Sequence, residues 1–307
     1  HKDIAHSVQA MYENAFFSLL NSLHECHGCD SLAVAGGCGM NSVANGKIRS
    51  RTPYRNTYVQ AAAGDAGGAL GAAYSVWHGL GNKARVPMRH ALWGPEFSDT
   101  DYHQLLQERA TQLDDETCEA TAHDDDQELC NRVIECILQG GVVGWFQGRM
   151  EWGPRALGNR SILCDPRRAD MKDILNLKIK RRESFRPFAP SVLREYVSDW
   201  FEEDDDVPFM MKVFPIREEK RNSIPAVTHV DGTGRLQTVH KDTNPRYWQL
   251  IETFRAQTGV PMLLNTSFNE NEPIVCTPEE AMDCFLRTNM DMLVLGRWLV
   301  RRKSVDG

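Results

Sequence analysis

The sequence predicts an α/β (α+β) protein in two parts, on three observations. Its 307 residues are roughly twice the common size of a single domain. Short apolar runs that suit buried strands, "DSLAVAGG", "GGVVGWF", "PMLLNTSF" and "DMLVLG", alternate with stretches of helical spacing. Between the parts, residues 82–97, "NKARVPMRHALWGPEF", carry two prolines and little periodicity, which sets a boundary near residue 93.

Taken in order, Val8, Met11, Tyr12, Phe16, Leu19 and Leu23 recur at helical spacing, and "DSLAVAGG" follows as a strand ending in paired glycines. "AAAGDAGGALGAAYSVWHGLG" predicts a tight loop at Gly64 and Asp65, then a helix whose small residues allow close packing, broken at Gly79 to Gly81. In the second part Leu129, Val133, Cys136 and Ile137 mark a helix closed by Gly140, and "GVVGWF" is the next strand. After the strand "PMLLNTSF", a helix opens at "TPEEAMDCFLRT", with Thr277 as cap, Pro278 in the first turn and Glu280 completing a capping box. "DMLVLG" closes the unit as a strand. The acidic run from Glu202 to Asp206 reads as a solvated loop rather than a cation site.

A formal charge of -7 and a pI near 5.8 argue against a long nucleic-acid or membrane footprint, although a local basic pocket fits inside an acidic protein. No apolar run approaches the roughly 18 residues of a membrane span, and "HKDIAHSVQA" reads as neither signal nor transit peptide, so a cytoplasmic setting is expected. Nine scattered cysteines fit reduced, mostly buried thiols better than a disulfide framework. "HECHGC" brings His24, Cys26, His27 and Cys29 close together, but without a second such pair a helix end with buried thiols is the better reading than zinc.

Chemistry concentrates in the second part. "GRMEWGPRALGNR" holds Arg149, Arg155 and Arg160 among glycines, and "KIKRRESFRPFAP" holds Lys178, Lys180, Arg181, Arg182 and Arg186. Arg186 stands between Phe185, Pro187 and Phe188, and a guanidinium in apolar company ordinarily has a carboxylate or phosphate partner. Mixed arginines and lysines beside glycine-rich backbone suit a polyphosphate, a nucleotide or an acyl phosphate. Asn265, Thr266, Ser267 and Asn269 end a buried strand, where ligand crevices form in open α/β sheets, though turn chemistry alone explains them equally well. Asp231 to Gly234 is either a hairpin turn, with Arg235 merely the next strand residue, or part of a site. In the first part Gly36, Gly37, Asn41, Asn45 and Lys47 are weak nucleotide-site candidates. Asp65 is read either as an N-cap or as a metal ligand.

Seven blocks, in order, are similar to the O-carbamoyltransferase family of nodulation-factor and antibiotic tailoring: "GGCGMNSVANGK", "GDAGGALGAAY", "GRMEWGPRALGNRSIL", "ESFRPFAPSVL", "PAVTHVDGTGRLQTV", "GVPMLLNTSFNENEPIV" and "PEEAMDCFLRTNMDMLVLG". The resemblance covers almost the whole chain. It implies that residues 1–93 are the end of an actin-like ATPase-fold carbamoyl-transfer domain and residues 94–307 a YrdC-like domain. The YrdC-like domain would form carbamoyl-adenylate from ATP and carbamoyl phosphate, with magnesium. The actin-like domain would pass the carbamoyl group to the hydroxyl of a small-molecule acceptor. On that analogy Arg155, Lys180, Arg186 and Arg235 cradle the phosphates and the carbamoyl group, and Asn265 and Ser267 help to hold the adenylate. Gly36, Gly37 and Asn41 belong to the binding surface of the first part.

The family's long N-terminal portion, with a His-x-x-x-His pair that holds iron or another divalent metal, has no counterpart here. The chain therefore reads as a fragment, with Asp65 the one metal ligand it contributes, and the missing N-terminal portion is a partner the resemblance implies. No nucleic-acid or membrane partner is expected. A YrdC-like nucleotide- or RNA-binding module linked to transfer RNA modification is the alternative reading, and it is weakened because the basic residues cluster inside the shared blocks instead of spreading over a surface.

Overall fold

In the computed structural model, which describes residues 1–81, 84–180 and 187–303, the chain is a mixed α/β protein. The first part holds two parallel strands, β1 (Ser31–Val34) and β2 (Asn56–Val59), flanked by the helices Lys2–His27 and Ala66–Gly79. The second part is built on β3 (Cys118–Ala122), β4 (Val143–Phe146), β5 (Arg160–Cys164) and β6 (Ala189–Leu193). A two-residue pair follows, β7 (Phe214–Pro215) with β8 (Thr233–Gly234). The last strands are β9 (Gln237–Val239), β10 (Met262–Ser267), β11 (Met292–Leu295) and β12 (Trp298–Arg302).

The large sheet has eight strands in the order β3-β12-β11-β4-β5-β10-β6-β9. The β11–β4 and β6–β9 pairs are parallel and the rest antiparallel. Its central strands β4, β5 and β11 are buried along their length, which is why β4 and β11 read as unbroken apolar runs, while β5 opens on the buried Arg160 and Ser161. Helices Asp126–Leu138 and Pro245–Thr258 pack against each other beside the sheet. Leu129, Val133, Cys136 and Ile137 are buried as their spacing predicts, and Gly140 takes φ 85° just past the helix. The helix Pro278–Arg287 starts with the capping box read from sequence: the Thr277 side chain accepts from the Glu280 N–H, and the Glu280 carboxylate accepts from the Thr277 N–H. Among the described residues no helix is long and apolar enough to cross a membrane.

Three expectations are corrected. Helix Lys2–His27 forms, but Val8, Met11, Leu19 and Leu23 of the predicted stripe are exposed, and Glu13, Phe17 and Leu20 are the buried side chains. The inward Glu13 carboxylate is stabilised by Lys47 at 2.7 Å and Arg51 at 3.4 Å, cations that come from much later in the chain. At the end of this helix Cys26 and Cys29 are exposed rather than buried. The helix Ala66–Gly79 buries no residue, so its small side chains line a cleft, and close packing is confined to Gly67, where a Cβ would lie 2.2 Å from the Ala62 carbonyl oxygen. The acidic run is a solvent-facing loop, as expected, with its aspartates paired at the surface: Asp204 with Arg194, Asp205 with Lys212 and Asp206 with His240.

Two hydrophobic clusters result. One fills the sheet and its helices from Tyr102 to Val300. The other is centred on residues 17–91 but also takes in Leu157, Ala189, Phe209, Met210 and Met211. The seam between the parts joins side chains of this second cluster and, around Gly46, brings main chain against main chain. A Cβ on Gly46 would sit 1.9 Å from the Val213 carbonyl oxygen, the Val213 N–H donates to Ser42 O at 3.0 Å, and Asn45 Nδ2 donates to Met211 O at 3.1 Å.

Candidate active site

The loop 151–159 between β4 and β5 carries the central arginine. Its organiser is Glu151, 6% exposed, whose Oε1 accepts from the backbone N–H groups of Leu157 at 2.6 Å, Asn159 at 2.8 Å and Arg160 at 3.3 Å. Gly158, at φ 105°, lets the chain pass the Tyr247 ring, which an added Cβ would meet at 2.1 Å. Sequence reasoning missed Glu151, because a single glutamate among glycines carries no spacing signal.

Arg155, midway along this loop, and Arg160, which opens β5 after it, have opposite fates. Arg160 is fully buried, its guanidinium 3.5 Å from the centre of the Phe146 ring, and it donates to the carbonyls of Gln147, Gly148, Asn159 and Pro95. It is structural. Arg155 has no carboxylate partner among the described residues, and its Nε is buried without a hydrogen-bond acceptor. Burial alone pushes its pKa down. A desolvated cation with open donors is arranged to receive an anion.

Arg155 lines a cavity of ≈ 120 Å³ together with Arg235, Asn265, Thr266 and Ser267, walled by Ala156, Phe188 and Met210. Four of the predicted site residues therefore converge. Arg235 follows the short strand β8 and is neither in the turn nor in a long strand. The turn before it is tight: the Thr233 hydroxyl donates to Asp231 at 2.7 Å, so it can only accept from His229 Nδ1 at 3.0 Å. His229 is thus the neutral Nδ1–H tautomer, and burial pushes its imidazole down to about 4, against the opposing pull of Asp231 and with the help of Arg235 and Lys172.

Asn265, 1% exposed, sits in β10 opposite Leu163 and Ala189. Its Nδ2 donates to Ser191 Oγ at 2.9 Å, Ala156 O at 3.2 Å and Gln237 Oε1 at 3.3 Å, and its Oδ1 is buried without a partner. Gln237 is pinned in turn, accepting from Ser191 Oγ at 2.7 Å and donating to Leu157 O at 2.7 Å. Lys180, 3% exposed, directs its ammonium at Ser267 O at 2.7 Å and at Asn269 O and Oδ1, at 2.5 and 2.6 Å. It braces the end of β10, where Ser267 lines the cavity. Lys178 is held by Asp291 at 2.7 Å. Arg181, Arg182 and Arg186 lie outside the described residues.

The first part presents a wider cleft of ≈ 1100 Å³, bounded by Gly36, Tyr58, Gln60, Asp65, Tyr74 and His78 among others. Gly36 takes φ 100° and donates to Ala63 O at 2.6 Å, while Gly37 opens a short 3-10 turn. Asn41 caps the helix Ser42–Gly46, accepting from Ala44 N at 3.1 Å, and bonds Gln9, so its amide is engaged in structure. Asp65 precedes the helix Ala66–Gly79 but does not cap it with its side chain, and it is exposed. Among the described residues no three His, Cys, Asp or Glu side chains gather to hold a metal, so the residues present do not make up a metal site around Asp65.

The family model described as Carbamoyltransferase C-terminus matches residues 134–302, and the one described as Carbamoyltransferase N-terminus matches residues 1–74. The chain belongs to the carbamoyltransferase family. It is 46% identical to the nodulation protein NolNO of Sinorhizobium fredii, over 100% of this chain and 45% of that protein. It is 44% identical to the nodulation protein NolO of Bradyrhizobium diazoefficiens, over 100% and 56%. It is also 35% identical to the 3'-hydroxymethylcephem-O-carbamoyltransferase of Amycolatopsis lactamdurans, over 89% and 49%. The chain spans about half the length of the curated relatives it matches. Among solved structures, full-length HypF overlaps with a TM-score of 0.40 at 17% identity, covering 61% of this chain and 22% of HypF. E. coli YciO overlaps with a TM-score of 0.39 at 18% identity, covering 57% and 81%.

Proposed function

We propose that the cavity around Arg155 activates a carbamoyl group with ATP, in the service of carbamoyl transfer to a hydroxyl-bearing small molecule. The observation that carries this reading is the Arg155 guanidinium, desolvated and without a carboxylate partner among the described residues, beside Arg235, Asn265 and Ser267. At ≈ 120 Å³ the cavity is well below the roughly 300 Å³ where whole ligand pockets begin, so it takes the reacting end of its substrates and leaves the nucleoside outside.

Water releases inorganic phosphate from carbamoyl phosphate and leaves carbamate. A carbamate oxygen attacks the α-phosphorus of ATP, the bond to the β-phosphate breaks, and carbamoyl-adenylate and pyrophosphate result. The acceptor hydroxyl then attacks the carbamoyl carbon, loses its proton and expels AMP. Arg155 and Arg235 supply fixed donors to oxygens that gain charge at phosphorus, where preorganised donors lower the barrier. Lys180 holds the β10 end, and with it Ser267, in register. Magnesium enters with ATP, and no step is assigned to a metal at Asp65.

The test follows phosphate, pyrophosphate and carbamoylated product separately, with ATP, magnesium, carbamoyl phosphate and a panel of polyols and sugars. Pyrophosphate release that requires carbamoyl phosphate is the expected result. Its absence, or its dependence on added RNA, defeats the reading.

A further inference from the structure

Carbamoyl phosphate and acetyl phosphate have almost the same shape, since one carries NH₂ where the other carries CH₃. A pocket that sorts by shape alone separates such isosteres by at most about 10²-fold, whereas a site built to hydrogen-bond an N–H rejects the analogue lacking it by roughly 10⁴ to 10⁵. Discrimination therefore needs an acceptor, and arginines have none to offer.

We infer that Asn265 is the specificity-determining residue of this cavity, its Oδ1 accepting from the amino group of the carbamoyl donor. The inference rests on the reading that the cavity binds carbamoyl phosphate. The orientation of the amide is fixed by its surroundings: both Nδ2 protons are committed to Ser191 Oγ, Ala156 O and Gln237 Oε1. Gln237 cannot turn round to offer a donor instead, because its own Nε2 is committed to Leu157 O. The amide is planar, so Oδ1 is held as a bare acceptor, buried and unpartnered. Elsewhere in the lining, Ser267 Oγ already donates to Asn269 at 2.8 Å, and Ser267 O is taken by Lys180. Buried acceptors are rarely left open, and the exceptions ask for a ligand. With Arg155 facing the carbonyl or phosphate oxygens and Asn265 facing the NH₂, the two ends of a carbamoyl phosphate are read by opposite kinds of group.

The experiment measures pyrophosphate release with carbamoyl phosphate and with acetyl phosphate, in the wild type, Asn265→Ala and Ser191→Ala. The quantity read is the ratio of the two kcat/KM values, which a general loss of fold lowers in both terms and leaves unchanged. The wild type is expected to favour carbamoyl phosphate by about 10³-fold or more. Asn265→Ala should bring the ratio to about 10²-fold or less, and Ser191→Ala, which frees the amide to turn, to a value in between. An unchanged ratio in Asn265→Ala, or a wild type that uses both donors equally, overturns the inference. If the wild type releases no pyrophosphate, calorimetric binding of the same two acyl phosphates replaces turnover. A binding preference lost in Asn265→Ala then keeps the inference while the proposed reaction fails, and equal or absent binding ends both.

Discussion

The cavity around Arg155 and the cleft beside Gly36 are made of different materials. The cavity is small, and the frame that carries its polar groups is fixed before any ligand arrives: Glu151 ties the loop, Lys180 ties the strand end, and Ser191 and Gln237 orient Asn265. The cleft is about nine times larger in volume and is bordered by a helix with no buried residue and by an exposed aspartate whose side chain does not cap that helix. Chemistry that stabilises a short-lived charge needs donors that do not have to reorganise, and the first site has them. The second offers surface and backbone.

The largest expected way to break this contrast is Arg160→Ala. It strands four backbone carbonyls and removes the guanidinium over Phe146, and a loss of about 4 kcal/mol in urea unfolding is expected. A loss under about 1 kcal/mol would mean that water takes over these carbonyls readily.

Next comes acid. His229 folds neutral with its pKa at about 4 against 6.5 when unfolded. Between these values the unfolded chain binds the extra proton, so stability is full above about pH 6.5 and falls as pH drops towards 4, by about 3 kcal/mol in all. Unfolding midpoints measured from pH 7 to pH 4 for wild type and His229→Gln should diverge on the acid side, the variant losing less. Parallel curves would place the acid sensitivity elsewhere.

Arg155→Ala sharpens the comparison, because it should leave the fold within about 1 kcal/mol of wild type yet lower pyrophosphate release at least tenfold, roughly 2 kcal/mol at the transition state. Wild-type turnover in the folded variant would remove Arg155 from the site. The smallest effect belongs to the cleft: Asp65→Asn should change neither stability, within about 0.5 kcal/mol, nor pyrophosphate release. A tenfold drop in release would show that the two sites are coupled.

The helix Pro278–Arg287 was legible down to its cap, and three of the eight strands of the large sheet, β4, β10 and β11, were legible as apolar runs, because both signals are local. The inward face of the first helix was not. Its apolar residues lie nearly all round, and what turns Glu13 inward is Lys47 and Arg51, over thirty residues away. Arg155 and Arg160 are the same residue type in one short string. Only the Phe146 ring and the carbonyls around Arg160 make it structural, and those arrive by folding. Asn265 was legible as a strand-end asparagine, but the direction of its amide depends on Ser191 and Gln237, which come from two other strands. Glu151 and His229 act through backbone and turn contacts that leave no pattern in sequence.

Gly46 has a consequence for how such chains can change over generations. Where a methyl group would collide with a carbonyl oxygen of the other part, no exchange of side chains can relieve a mismatch, because the atoms in contact are main chain on both sides. A chimera that joined residues 1–81 of one relative to the remainder of another would inherit two backbones that had never been fitted together. The two parts are thus bound to travel as a pair, and heating should separate them in a single cooperative step.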